Sequence, residues 1–153
     1  MTERKRVLLV EDSENDAELA LAAFEEAELT NDVVVVRDGQ EALDYLQCKG
    51  AYTDRPSGDP AVVLLDLKLP RVNGLEVLEK VKADPALKSI PVVMLTSSNQ
   101  DSDLARSYGL GVNAYVVKPV DFPEFMSALK ELGLFWTVIN QPPPRTFHKE
   151  GRP

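Results

Sequence analysis

The sequence predicts an α/β fold: a doubly wound parallel sheet of five strands, in the order 2-1-3-4-5, with five helices on its two faces. Three observations carry that expectation. Short apolar runs, each ending in turn formers or polar residues, alternate along the chain with segments whose apolar residues recur at helical spacing. The run Ala61 to Leu65 (AVVLL) is continuously apolar, as a strand covered on both faces must be. The 153 residues suffice for one domain with a real core, and 44% hydrophobic with 27% charged residues is the balance of a globular chain.

The first strand is Arg6 to Val10, and it ends in Glu11 and Asp12. Ser13 and Asp16 give an S-x-x-D cap, after which Ala17, Ala20, Leu21, Phe24 and Ala27 share a helical face. Val33 to Val36 is a β-branched second strand, and Asp38-Gly39-Gln40-Glu41 caps a helix bearing Ala42, Leu43, Tyr45 and Leu46. Lys49 to Pro60 is rich in turn formers and reads as a longer loop. The central strand then ends in Asp66, and the chain passes through Leu67, Lys68, Leu69 and Pro70 to an Asn73-Gly74 turn. From Gly74 to Ala83, Leu75, Leu78 and Val81 face one way, and Asp84-Pro85 stops the helix.

Pro91 to Leu95 is the fourth strand, running into Thr96-Ser97-Ser98. Ser102 to Tyr108 is a weakly patterned helix, and Ala114 to Val117 is a short fifth strand ending in Lys118-Pro119. Asp121-Phe122-Pro123-Glu124 caps a last helix with Phe125, Leu129 and Leu132 inward. One domain over residues 1–135 follows, with an extension over 136–153. Phe135, Trp136, Val138 and Ile139 are apolar where the last helix should be over, and three prolines follow. They cover the domain's own lower edge or form a contact surface, with Phe135, Trp136 and Ile139 as the interface candidates.

Composition removes several classes of function. A net charge of −8 argues against a nucleic-acid footprint, which needs clustered Lys and Arg. No apolar run reaches membrane-spanning length, and the start, MTERKRVLLVED, is too short in its apolar part for a signal sequence, so a cytoplasmic protein is expected. Cys48 is the single cysteine, which leaves neither a disulfide framework nor a Cys-based zinc site; it reads as a small, partly buried hydrophobe. The single histidine, His148, lies in a Pro-rich charged tail with no packed element to aim it.

What remains is the carboxyl edge of the sheet, where open α/β folds bind their ligands. There the first strand offers Glu11 and Asp12, the third Asp66, the fourth Thr96 and Ser97, and the fifth Lys118. Three carboxylates in one crevice repel one another, and the natural remedy is a hard divalent cation with oxygen ligands, Mg²⁺ for phosphoryl chemistry. A hydroxyl at Thr96 and an ammonium at Lys118 suit a phosphoryl group on Asp66. Each residue alone has a plainer reading, Asp as a helix cap and Thr or Lys as a solvated strand end. Their occurrence together, at four strand ends and in this order, carries the inference.

The stretches LLVEDSENDAE, LLDLKLPRVNG, VVMLTSS and AYVVKPVD resemble the receiver domain of two-component response regulators, over about Lys5 to Leu134. The resemblance implies a flavodoxin-like fold with Asp66 as phosphoacceptor. It also implies Mg²⁺ held by Asp12, Asp66 and the Lys68 backbone carbonyl, with Glu11 acting through water. Thr96 would be the switch hydroxyl, Tyr115 the switch aromatic, Lys118 the phosphate-binding lysine, and Lys118-Pro119 a cis peptide. The long loop, GVNAYVVKPVD and the FW…PP tail resemble more narrowly the single-domain regulators that pair with phytochrome histidine kinases. The expected partners are thus a sensor histidine kinase, a bacteriophytochrome among them, a second copy of the chain and a downstream phosphotransfer protein.

Two features depart from the family pattern: Glu11 where Asp is commoner, and Lys68 two residues after the acceptor, a position that tunes acyl-phosphate hydrolysis. An aspartyl-nucleophile phosphatase needs a second carboxylate at that position, which Lys68 cannot supply. An adaptor working without phosphorylation is the other alternative. With about twenty residues after the last helix, the expected output is a binding event at the face of the fourth helix, fifth strand and fifth helix.

Overall fold

Valine and leucine fill most strand positions, and the sheet they form is covered on both sides. In the computed structural model the described residues are 6–26, 33–55, 58–96 and 109–117, with 123 and 127. The strands are β1 (Val7–Val10), β2 (Val33–Val36), β3 (Val62–Asp66), β4 (Val92–Thr96) and β5 (Ala114–Val117), and the helices are α1 (Glu14–Glu26), α2 (Gly39–Gln47) and α3 (Gly74–Ala83). All pairings are parallel, in the order β2-β1-β3-β4-β5. That is the flavodoxin-like order expected from the sequence. The predicted fourth and fifth helices lie outside the described residues, except that Pro123 and Ser127 have helical backbone.

Alternation along each strand sorts the core into two layers. Leu8, Val10, Val63, Leu65, Val92 and Met94 pack toward α2 and α3 with Leu46, Leu78 and Val81. Val7, Leu9, Val62, Leu64, Val93, Leu95 and Val116 pack toward α1 with Ala17, Ala20 and Phe24. Burial of each large apolar side chain in these layers stabilises the fold by about 1.5–3 kcal/mol. No helix among the described residues is long and apolar enough to cross a membrane.

Register sets the functional edge. Val10 pairs with Leu65 and Asp66 with Leu95, so Glu11, Asp66 and the end of β4 come level at the carboxyl side of the sheet.

Two expectations are corrected. α3 buries Val77, Leu78 and Val81, whereas Leu75 is half-buried at its rim. The buried face is Gly74, Val77, Leu78 and Val81, an i, i+3, i+4, i+7 stripe that leaves Leu75 a turn's edge away. Cys48 is exposed: it is the C-cap of α2 with a φ of 56°, and its N–H donates back to Asp44 and Tyr45 carbonyls, which turns the side chain out of the core.

The Lys49–Pro60 loop contains a 3₁₀ turn, Gly50–Tyr52, and an organised aromatic cluster. Tyr45 and Tyr52 meet edge to face at 5.1 Å, and the Arg55 guanidinium lies 4.3 Å over the Tyr45 ring. Arg6 ties the loop to β1, donating to the Gly58 carbonyl at 2.6 Å and to the Tyr45 hydroxyl at 3.2 Å.

Candidate functional site

The β1–α1 turn delivers the first two acids. Glu11 follows β1 and is 1% exposed; its N–H continues the ladder to the Val36 carbonyl at 3.0 Å. Its Oε2 accepts the Ser13 N–H at 3.2 Å. Ser13 caps α1 by accepting the Asp16 N–H at 3.2 Å, as the S-x-x-D pattern predicts. Asp12, between them, is exposed. The cap fixes the turn, and the turn leaves one carboxylate below the surface and one above it.

β3 delivers the third. Asp66 is its last residue and is 5% exposed, with the Lys68 N–H 3.4 Å from Oδ1. Carboxylate oxygens of Glu11, Asp12 and Asp66 all lie within 4.8 Å of one another. Two buried carboxylates and an exposed one at such separations form a donor set that one hard cation bridges, directly or through its water. The residues therefore fit a divalent cation, and the all-oxygen set favours Mg²⁺ or Mn²⁺ over softer metals.

The third wall is the β3–α3 loop. A cleft of about 460 Å³ is lined by Asp12 and, from this loop and the start of α3, by Leu67, Lys68, Leu69, Pro70, Asn73 and Leu75. Asn73 closes the loop with a reciprocal cap: its side chain accepts the Glu76 N–H at 3.0 Å, and Glu76 accepts the Asn73 N–H at 3.1 Å. Gly74 is required next. Its N–H donates to the Leu67 carbonyl at 2.8 Å, and a Cβ there would stand 2.2 Å from the Asp66 carbonyl oxygen.

A fourth contribution was not foreseen. Arg71 donates to Asp38 Oδ1 at 3.1 Å, tying the loop to the N-terminus of α2, which Asp38 caps by accepting the Glu41 N–H at 2.7 Å. Burial works to raise the Asp38 pKa, but the Glu41 N–H and the Arg71 guanidinium outweigh it and hold the carboxyl below its ordinary 3.8. Asp38-Gly39 was legible as a cap; that Arg71 would meet it was not, because nothing local links residues 33 apart.

Of the other residues singled out, the Thr96 backbone pairs with Val117 one step beyond Asp66–Leu95. The Thr96 side chain, Ser97, Lys118, Pro119, Phe135, Trp136 and Ile139 lie outside the described residues. Tyr115 is half-buried on β5, packed against the α2–α3 layer, and Lys68 is exposed beside the acids.

Residues 7–130 match the family model of the response regulator receiver domain, and the chain belongs to that family, whose members are phosphoacceptors in two-component signalling. Among its relatives, a probable methanogenesis regulatory protein, FilR2, from Methanothrix harundinacea is 41% identical over 90% of this chain and 86% of its own length. The response regulator Rcp1 from Synechocystis sp. is 38% identical over 86% and 88%. Two solved bacteriophytochrome response regulators are nearer in sequence. RtBRR is 59% identical with a TM-score of 0.82 over 93% of this chain and 86% of that one, and AtBRR is 61% identical with a TM-score of 0.81 over 88% and 96%. A Mn²⁺-bound form of Rcp1 matches with a TM-score of 0.73 at 36% identity, over 92% and 99%. The chain is a response regulator receiver domain homologous to phytochrome-associated regulators.

Proposed function

We propose that this chain accepts a phosphoryl group on Asp66 from a histidine kinase of the phytochrome class, in the presence of Mg²⁺, and signals through the resulting change of surface. The observation that supports this most directly is the convergence of Glu11, Asp12 and Asp66 at the carboxyl edge, with Asp66 at the end of the central strand. Asp12 and Asp66 would hold the cation with the Lys68 carbonyl, and Glu11 would hold its water. When bound, the cation offsets charge on the phosphoryl oxygens.

The transfer itself asks little of the protein beyond position. A carboxylate oxygen of Asp66 forms the O–P bond as the N–P bond of the donor phosphohistidine breaks, and the released imidazole takes a proton from water. Thr96 donates a hydrogen bond to one phosphoryl oxygen and Lys118 supplies an ammonium to another. Lys68 is a cation and cannot supply the carboxylic acid that an aspartyl-nucleophile phosphatase uses at that position, so the chain does not turn over as a phosphatase. Tyr115 turns inward behind Thr96 and Ser97, with Lys118-Pro119 as a cis peptide.

Residues 1–135 form the receiver and 136–153 an extension, and Phe135, Trp136 and Ile139, at and just after the boundary, contribute to self-association. A second phosphotransfer protein is the expected downstream acceptor.

The test is labelling by acetyl phosphate. Incorporation that requires Mg²⁺ and is abolished in D66N supports the assignment. Labelling that survives D66N sinks it.

A further inference from the structure

The β3–α3 loop carries Lys68 past the acids in a conformation that its own sequence does not favour. Arg71 has a φ of 66°, in the left-handed region that residues with a Cβ rarely enter. It is the centre of a three-residue turn closed by the Val72 N–H on the Pro70 carbonyl at 2.8 Å. Turns of this size with positive φ are rare and strained, and such strain persists only where the surroundings fix it.

The surroundings here come from the start of α2. Arg71 donates to Asp38 at 3.1 Å, and the Gly39 N–H donates to the same Pro70 carbonyl at 3.4 Å. Gly39 also makes the approach possible, since a Cβ on it would stand 1.7 Å from the Val72 carbonyl oxygen. Asp38 is itself held, because the carboxylate oxygen that receives Arg71 also caps α2.

We infer that Arg71 and Asp38 are positioning residues for the cation site: their ion pair latches the strained turn to α2 and so keeps the Lys68 backbone where the cation needs it. This rests on the cation-dependent reading of the cleft given above. The latch acts on the loop and not on the ligand. Charge alone makes the opposite statement about Arg71, since removing a cation from this neighbourhood tightens binding of a divalent metal. A loss of affinity on removing Arg71 therefore reports geometry.

The experiment is Mn²⁺ titration of the full chain, read by the electron paramagnetic resonance of unbound Mn²⁺, with hydrogen exchange of the 67–72 amides in metal-free protein. R71A is expected to weaken Mn²⁺ binding about tenfold, the scale of lost support behind a metal ligand, and to speed exchange in the loop. D38N keeps a side chain that caps helices well and should weaken binding in the same direction. R71G should recover most of the affinity and the slow exchange, because glycine takes positive φ without steric cost and the turn no longer needs a latch.

R71A and D38N binding Mn²⁺ as tightly as the wild type would overturn the inference. So would an R71G as weak as R71A. A wild type that binds no Mn²⁺ refutes the reading of the cleft, and the exchange comparison then still decides the latch.

Discussion

Tyr52 shows at the scale of one residue how the long loop is held. Its hydroxyl donates to Glu41 Oε2 at 2.6 Å, and burial first, then the Glu41 bond and charge, push its pKa from 10.0 up to about 12. A pKa raised on folding means that the contribution is present in full below pH 10.0 and is lost as pH rises through about 12. Absorbance titration should therefore show a late-ionising tyrosine component that Y52F removes; a titration curve that Y52F leaves unchanged would contradict this.

Asp38 has the opposite sign. Its depressed pKa contributes stability above pH 3.8 that disappears as pH falls below it through the folded-state value, so D38N should be less stable at neutral pH and show a shallower loss of stability below pH 3.8. Equal acid-unfolding profiles for the two proteins would remove Asp38 from the account. Neither partnership was legible in the sequence. A hydroxyl reaching back eleven residues and a guanidinium reaching thirty-three belong to tertiary structure, and spacing rules see only neighbours on one element.

Among the elements, the strands were the most legible, because a parallel sheet covered on both faces demands continuous apolar runs and little else does. The caps of α1 and α2 were legible for a similar reason: Ser13 and Asp38 each serve an N–H three residues on, a local relation. The face of the third helix was read in most of its members: Leu78 and Val81 are buried as expected and Leu75 packs at the rim of the same cluster, whereas Val77, which the reading passed over, is fully buried.

Gly74 gives the sharpest test at this scale. G74A brings a Cβ to 2.2 Å from backbone and should destabilise the fold by about 1–3 kcal/mol, with Mg²⁺ binding weakened as the β3 end shifts. Gly109, whose added Cβ would meet nothing within 4 Å, is the control, and G109A should be neutral or slightly stabilising. Equal denaturant midpoints for the two variants would show that the α3 start is not held as tightly as its geometry states. F24A should cost about 3–5 kcal/mol, because Phe24 is fully buried against the α1 face of the sheet.

Across the whole molecule, the sheet order does the decisive work by bringing residues 11, 12 and 66 to one edge. The sequence could reveal this constellation because strand ends in a doubly wound sheet converge by topology, whatever the details of packing. It could not reveal the walls of the cleft, which depend on the turn at Arg71 and the approach of Gly39. A phosphoryl group on Asp66 carries about two negative charges and stands beside the Glu11 and Asp12 carboxylates, so labelling should depend steeply on the divalent cation. Chelation with EDTA is expected to abolish labelling and excess Mg²⁺ to restore it; labelling indifferent to EDTA would separate the acids from the chemistry.

The phosphoryl group is expected on one oxygen of one residue, and reductive trapping reads its place directly. An acyl phosphate on aspartate is reduced by borohydride to homoserine, which peptide mass spectrometry locates. Treatment with phosphodonor and Mg²⁺ should give homoserine at position 66 and an unmodified Asp12. Homoserine at Asp12, or none anywhere after demonstrable labelling, would contradict the assignment of Asp66 as the phosphoacceptor.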